Sequence, residues 1–192
     1  MILPTQPKLD CTAILMAGGK SSRMGRDKAW LDYHGRPLWQ AQLEKLGFAR
    51  EILISTRAAA FTAPGCRVVR DDPGHSGPLA GLHACLKAAT YDRVLLLAVD
   101  MPEMTSGHLR ALAENATPEV GVVPEADGFY QGLAAVYPRR ILPLLEEILS
   151  STDTSFQNLC RQAFARGLMK AQPISPEEEC LFTNWNRPED LA

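Results

Sequence analysis

The sequence lacks most of the features by which a function is read at a glance. Aromatic residues make up only 7% of its 192 residues, and 22 acidic against 20 basic side chains leave a net charge of −2. No global positive field therefore recommends nucleic acid as a partner. No apolar run approaches the ~20 residues that cross a bilayer; the longest, Val94–Val99, has six residues and stops at Asp100. The five cysteines, at 11, 66, 85, 160 and 180, contain no C-x-x-C pair. An odd count without metal spacing reads as reduced, mostly buried thiols rather than a disulfide framework. No H-E-x-x-H or His/Cys cluster is present, which speaks against a zinc enzyme. His75 and His83 read as surface or helix residues rather than ligands. Gly74-His75-Ser76-Gly77 is one residue short of the G-x-S-x-G elbow, so a serine hydrolase of that type is rejected. Residues 1–9 carry two prolines and no apolar core of a signal peptide. They read as part of a flexible leader over 1–10, ahead of a single domain over 11–192 in a cytoplasmic protein.

What is present is an alternation of short apolar runs with amphipathic stretches. Strands are expected over Thr12–Met16, Glu51–Ser55, Arg67–Val69, Arg93–Val99, Val120–Val123 and Leu133–Tyr137. Helices are expected over Pro37–Leu46, Leu79–Ala89, Ser106–Asn115, Arg139–Ser150 and Ser155–Ala165. The strand runs are continuously apolar rather than alternating, as when helices cover both faces of a sheet. Strand–helix alternation then predicts a three-layer α/β/α, Rossmann-like domain with a mostly parallel sheet. Ligands of such sheets bind beyond the carboxyl ends of the strands, so the residues just after each strand are the ones to weigh.

After the first strand, Ala17-Gly18-Gly19 strips side chains from the backbone, and Lys20, Arg23, Arg26 and Lys28 follow within nine residues. Against Asp27 alone they leave a local charge of +3 in a chain that is negative overall. Exposed backbone amides among glycines make a concave anion site. The loop is neither a Walker A sequence, since the residue five on from Gly19 is Met24, nor G-x-G-x-x-G, since Lys20 stands where the second glycine belongs. A solvated turn with ordinary surface cations is the bland alternative. After Val94–Val99 comes Asp100-Met101-Pro102: a carboxylate at a strand tip, before a rigid proline. Mg²⁺ is usually held by one or two protein carboxylates plus substrate phosphates, so one such Asp is enough to nominate a site. An Asx-turn is the alternative there. After Arg67–Val69, the Asp71-Asp72-Pro73 turn leads to Gly77-Pro78-Leu79-Ala80-Gly81, whose glycines flank a helix start and let backbone approach a ligand. Near the end, Asn184 and Asn186 lie two apart, on one side of an extended segment. Asn186 with Glu189 and Pro188 also reads as the cap of a last helix.

Together these stretches resemble the molybdenum cofactor guanylyltransferase family of nucleotidyltransferases. The resemblance is carried by Leu15-Met16-Ala17-Gly18-Gly19-Lys20 with Arg23-Met24-Gly25 and Asp27-Lys28, then by Gly77-Pro78-Leu79-Ala80-Gly81, Asp100-Met101-Pro102 and Phe182-Thr183-Asn184-Trp185-Asn186. It implies a fold of the nucleotide-diphospho-sugar transferase type. It also implies transfer of GMP from GTP to the terminal phosphate of Mo-molybdopterin, with release of pyrophosphate and Mg²⁺ as cofactor. By position, Met16, Ala17 and Gly18 would meet the nucleotide through backbone, and Gly19, Arg23 and Lys28 would hold the triphosphate. Asp71 would contact the nucleoside, Ser55 and Gly81 would join the nucleotide site, and Asp100 would ligate Mg²⁺. Arg23, Lys28 and Asp100 are the catalytic set, and Asn184 and Asn186 the acceptor-binding pair. Partners would be GTP, Mo-molybdopterin and proteins that deliver cofactor or accept product, with no nucleic acid and no membrane. Asp127–Gly132 departs from the family pattern, where relatives often carry a basic or His/Pro-bearing segment. Two alternatives stand beside this reading: transfer of CMP or use of another phosphorylated acceptor by the same fold, and a non-catalytic nucleotide-binding module.

Overall fold

A computed structural model gives the architecture and describes residues 7–18, 28–58, 61–70 and 77–185. Its centre is strand β1 (Leu9–Met16), flanked in parallel by β4 (Ala49–Ser55) and β6 (Arg93–Ala98). Beyond β4 lies β5 (Arg67–Val69), also parallel. On the other side β9 (Ala134–Pro138) runs antiparallel to β6 and to β7 (Gly121–Ala126), and β10 (Met169–Pro173) pairs in parallel with β7. The order is thus β10-β7-β9-β6-β1-β4-β5, with β8 (Phe129–Tyr130) as a short hairpin partner of β7. A separate two-stranded ribbon joins β2 (Asp32–Tyr33) to β3 (Arg36–Pro37).

The continuous apolar runs are apolar because both of their faces are covered. In β1, Ala13 and Leu15 enter one core cluster and Ile14 and Met16 the other; in β6, Leu95 and Leu97 separate from Val94 and Leu96 in the same way. The first cluster is closed by α1 (Leu38–Lys45) and α3 (Ser106–Asn115). The second is closed by α2 (Pro78–Ala88), α4 (Leu142–Leu149) and α5 (Phe156–Ala165). Each fully buried leucine contributes roughly 1.5–3 kcal/mol of transfer free energy. Local signals agree with the layers. Thr105 Oγ1 accepts the His108 N–H at the start of α3, and Ser155 Oγ accepts that of Asn158 at the start of α5. Such caps are worth ~1 kcal/mol each.

The three-layer, mostly parallel arrangement is the one expected, and several boundaries move. β1 opens at Leu9, which pairs with Ala49, so the last two residues of the expected leader belong to the sheet. Arg139–Ser150 divides into a 3-10 turn over Arg139–Ile141 and α4. Gly77 and Gly81 flank the start of α2 as expected: Gly77 is its N-cap, and Gly81 is buried at the end of its first turn. His83 is a helix residue, as expected, and a buried one. It packs between α2 and α4, its Nε2 3.2 Å from Glu146 Oε1. β10 escapes the sequence because Met-Lys-Ala-Gln-Pro is an edge strand with largely exposed side chains, where no apolar run is demanded. In the departing segment, Asp127 and Gly128 hold φ of 50° and 77° between β7 and β8. Positive φ at both residues of a two-residue loop marks a type I′ hairpin, for which Asp-Gly is a favoured pair.

At the amino end of the sheet, the Glu51 carboxylate accepts from Thr12 Oγ1 (2.5 Å), Thr90 N (2.7 Å), Thr90 Oγ1 (2.8 Å) and Arg67 Nη2 (3.0 Å). Burial pushes this carboxyl upward, but those donors outweigh it and hold it below the usual carboxylate range.

Candidate functional site

Three parallel strands finish level with one another. Met16 is in register with Ser55 of β4 and with Ala98 of β6. The ladder runs on past the strand ends, with Ala17 N donating to Ser55 O (2.8 Å) and Val99 N to Met16 O (3.1 Å). Backbone at Met16, Ala17 and Gly18 thus leaves the sheet between the end of β4 and the Asp100 turn. Space is tight at Gly18: a Cβ on it would lie 3.3 Å from Thr56 Cα and 3.4 Å from Arg57 N, and a residue without Cβ lets the two main chains pass closely.

Lys28 returns to this end from sequence far away. Its Nζ donates to Asp100 Oδ2 at 2.9 Å, with the two side chains 19% and 21% exposed. An ion pair reachable by water but largely shielded is placed to exchange partners when a charged ligand arrives. Lys28 begins the 3-10 turn Lys28–Trp30, anchored by Ala29 in the core and followed by the β2–β3 ribbon.

The turn holding Asp100 is fastened from several sides. Gln42 of α1 donates Nε2 to Val99 O (3.1 Å) and Met101 O (2.7 Å), and Lys45 Nζ donates to Pro102 O (2.5 Å). Burial lowers Lys45 to about 8, with Glu103 opposing the shift and Arg36 adding to it. Trp185 N donates to Asp100 O at 2.8 Å, which brings the C-terminal segment, with half-buried Asn184 just before it, to the same place. Tyr33 joins the two, its ring 5.6 Å from Trp185 and 5.9 Å from Lys45 Nζ.

Of the residues expected in the site, Met16, Ala17, Gly18, Lys28, Ser55 and Asp100 converge at one end of the sheet, and Asn184 follows the same turn. Gly81 lies within α2. Gly19, Arg23, Asp71 and Asn186 lie outside the described residues. Sequence reasoning missed Gln42 and Lys45, and a signal for Gln42 was available. Leu38, Ala41, Gln42 and Leu46 recur at helical spacing on one buried stripe, and a glutamine there breaks the apolar pattern. Among the described residues no group of three or more His, Cys, Asp and Glu could cage a metal. The donor set is one carboxylate beside an ammonium, which fits an ion arriving with a phosphate ligand rather than a resident one.

The fold is a three-layer α/β domain whose parallel strands end level with one another, beside the Lys28–Asp100 pair. The chain belongs to the MobA-like NTP transferase family, whose model matches residues 13–167, and it is a nucleotidyltransferase. A molybdenum cofactor guanylyltransferase of Pseudomonas putida is 34% identical over 191 residues, covering 94% of this chain and 95% of the relative. One from Pseudomonas entomophila is 30% identical over 194 residues, covering 94% and 96%. Among solved structures, a nucleotidyl transferase from Methanothermobacter superposes with a TM-score of 0.76 at 23% identity, covering 94% of both chains. Among the described residues no helix is long and apolar enough to cross a membrane.

Proposed function

We propose that the chain transfers GMP from GTP to the terminal phosphate of Mo-molybdopterin, giving the guanine dinucleotide form of the cofactor and pyrophosphate. The observation that carries the reading is the Lys28–Asp100 pair at 2.9 Å, set at the strand end from which the Met16-Ala17-Gly18 backbone departs. A phosphate oxygen of the acceptor attacks the α-phosphorus in line. A new P–O bond forms, the bond to the β-phosphate bridging oxygen breaks, and its electron pair leaves on pyrophosphate. The nucleophile is an anion at neutral pH, so no general base is needed; positioning and charge stabilisation supply most of the rate. Lys28 moves from Asp100 onto the phosphates and offsets charge on the leaving group. Asp100 is the residue that would hold Mg²⁺, which when bound neutralises phosphate oxygens. Backbone at Met16–Gly18 and the end of β4 at Ser55 flank the nucleotide, while Arg23 adds a second cation and Asn184 faces the acceptor.

A nucleotide panel tests this. With Mg²⁺ and an authentic acceptor, GTP is expected to yield pyrophosphate and the dinucleotide well ahead of CTP, ATP and UTP. Equal use of CTP would replace the guanylyl assignment, and failure of every nucleotide to turn over would leave a binding module. In the same panel, saturating GTP at a hundredfold excess over Kd stabilises the fold by ~2.7 kcal/mol, a melting shift of roughly 5–10 °C.

A further inference from the structure

Four consecutive carbonyls, from Val99 to Pro102, pass through the Asp100 turn, and donors from elsewhere in the chain take all of them. Gln42 takes two, Trp185 N takes that of Asp100, and Lys45 takes that of Pro102. Gln42 is completely buried in α1. Both hydrogens of its amide are used, and a flipped amide would aim Oε1 at two carbonyl oxygens, so the partners fix the orientation. Among the described residues Gln42 Oε1 finds no hydrogen-bond partner. A buried acceptor left unpaired is destabilising, and Leu38 and Leu46, one turn to either side, are fully buried apolar neighbours on the same stripe. Packing within α1 alone would place a leucine or methionine here; what the amide adds is two donors for Val99 O and Met101 O. A rule broken in this way, next to the site, points to a role other than packing.

We propose that Gln42 is a positioning residue: from inside α1 it fixes the backbone on both sides of Asp100, so that this carboxylate meets Lys28 and the nucleotide's metal in one orientation. Lys45, three residues along the same helix, holds the next carbonyl but one and extends the clamp. The proposal rests on the reading of Asp100 as the carboxylate at the nucleotide. A carboxylate on a short side chain takes its direction from its backbone, and groups that orient a metal-binding side chain typically govern 10–100-fold in metal affinity or activity.

The test compares wild type with Gln42→Met, which conserves volume and removes both donors. Amide hydrogen exchange is followed at Trp185 and Met104, whose N–H groups bond Asp100 O and Met101 O. Binding of Mn²⁺ to the GTP-loaded protein is followed by its electron paramagnetic resonance signal. Exchange at both amides is expected to rise about tenfold while β4 amides keep their protection, and Mn²⁺ is expected to bind ~10–100-fold more weakly. Unchanged exchange in the folded variant overturns the clamp. Faster exchange with unchanged Mn²⁺ affinity overturns the positioning role. Asp100→Asn is run in parallel: if it binds Mn²⁺ as wild type does, the reading of Asp100 falls, and exchange alone still decides whether Gln42 holds the turn. Should Gln42→Met not fold, Lys45→Met removes the bond to Pro102 O together with the contact of the ammonium with the Tyr33 ring. A smaller shift in the same direction at Met104 and in Mn²⁺ affinity supports the clamp, and no shift in either overturns it.

Discussion

The sheet has two halves of different character. In the parallel half, β5-β4-β1-β6, the central strands are apolar toward their carboxyl ends and finish beside a Lys–Asp pair, where the nucleotide's phosphates are proposed to sit. In the mixed half, β9-β7-β10, the edge strand is largely exposed, and the same end of the sheet opens a cavity of about 200 Å³ lined by Ala126, Asp127, Gln131, Ile174, Glu179, Phe182 and Thr183. Two carboxylates in that lining disfavour an anion where the Lys28 ammonium favours one, so the proposed phosphate site falls in the parallel half.

The largest effect should come from breaking the parallel half at its tip. Lys28→Ala or Asp100→Ala is expected to lower turnover ~10²-fold or more, the scale of losing one preorganised stabilising group, as read from pyrophosphate release; near-normal turnover in either variant would remove that residue from the mechanism. Next comes a break in the mixed half that spares chemistry. Tyr137 is fully buried and donates its hydroxyl to Gly132 O at 2.6 Å. Tyr137→Phe should cost about 1–2 kcal/mol, a melting decrease of roughly 2–8 °C, with kcat retained.

A smaller effect concerns acid. Because the folded pKa of Glu51 is depressed, its stabilisation is fully present above the unfolded value and is lost as pH falls through the folded one, where the unfolded chain binds more protons. Glu51→Gln should thus flatten the acid limb of a stability-versus-pH curve and leave the neutral-to-alkaline limb parallel to wild type. Thiol reactivity is finer still. Burial pushes Cys11 up to about 11 and Cys160 up to about 12, whereas Cys180 is exposed. A native thiol titration should label Cys180 first, Cys66 more slowly, and Cys11, Cys85 and Cys160 only on unfolding. The smallest expected effect sharpens the comparison of the two halves: Glu179→Gln should leave GTP affinity within about twofold, the range of an exposed charge change remote from the ligand.

The parallel half was legible in the sequence because a strand covered on both faces must be apolar at every position, as Val94–Val99 is. Its end is then visible as the first polar residue, Asp100. Legibility fades where burial is partial. β10 carries Lys170 and Gln172 on an exposed edge, and β8 is a two-residue strand set by the Asp-Gly turn before it, so neither leaves a hydrophobic period. Lys28 and Asp100 could each be nominated, but their meeting across 72 positions needed coordinates. Gln42 was visible as an irregularity on an apolar stripe; what it holds was not, since backbone carbonyls are present at every position and no letter marks the two it chose.

Strand β1 joins two unlike tasks. Thr12, in the amino half of the strand, belongs to the network around Glu51; Gly18, just past the other end, packs against the backbone of Thr56 and Arg57. At ~3.3 Å per residue these lie roughly 20 Å apart along a rod bonded on both edges. Acid tolerance and the proposed nucleotide site are therefore separable engineering problems, to be adjusted at different ends of one strand with little crosstalk between them.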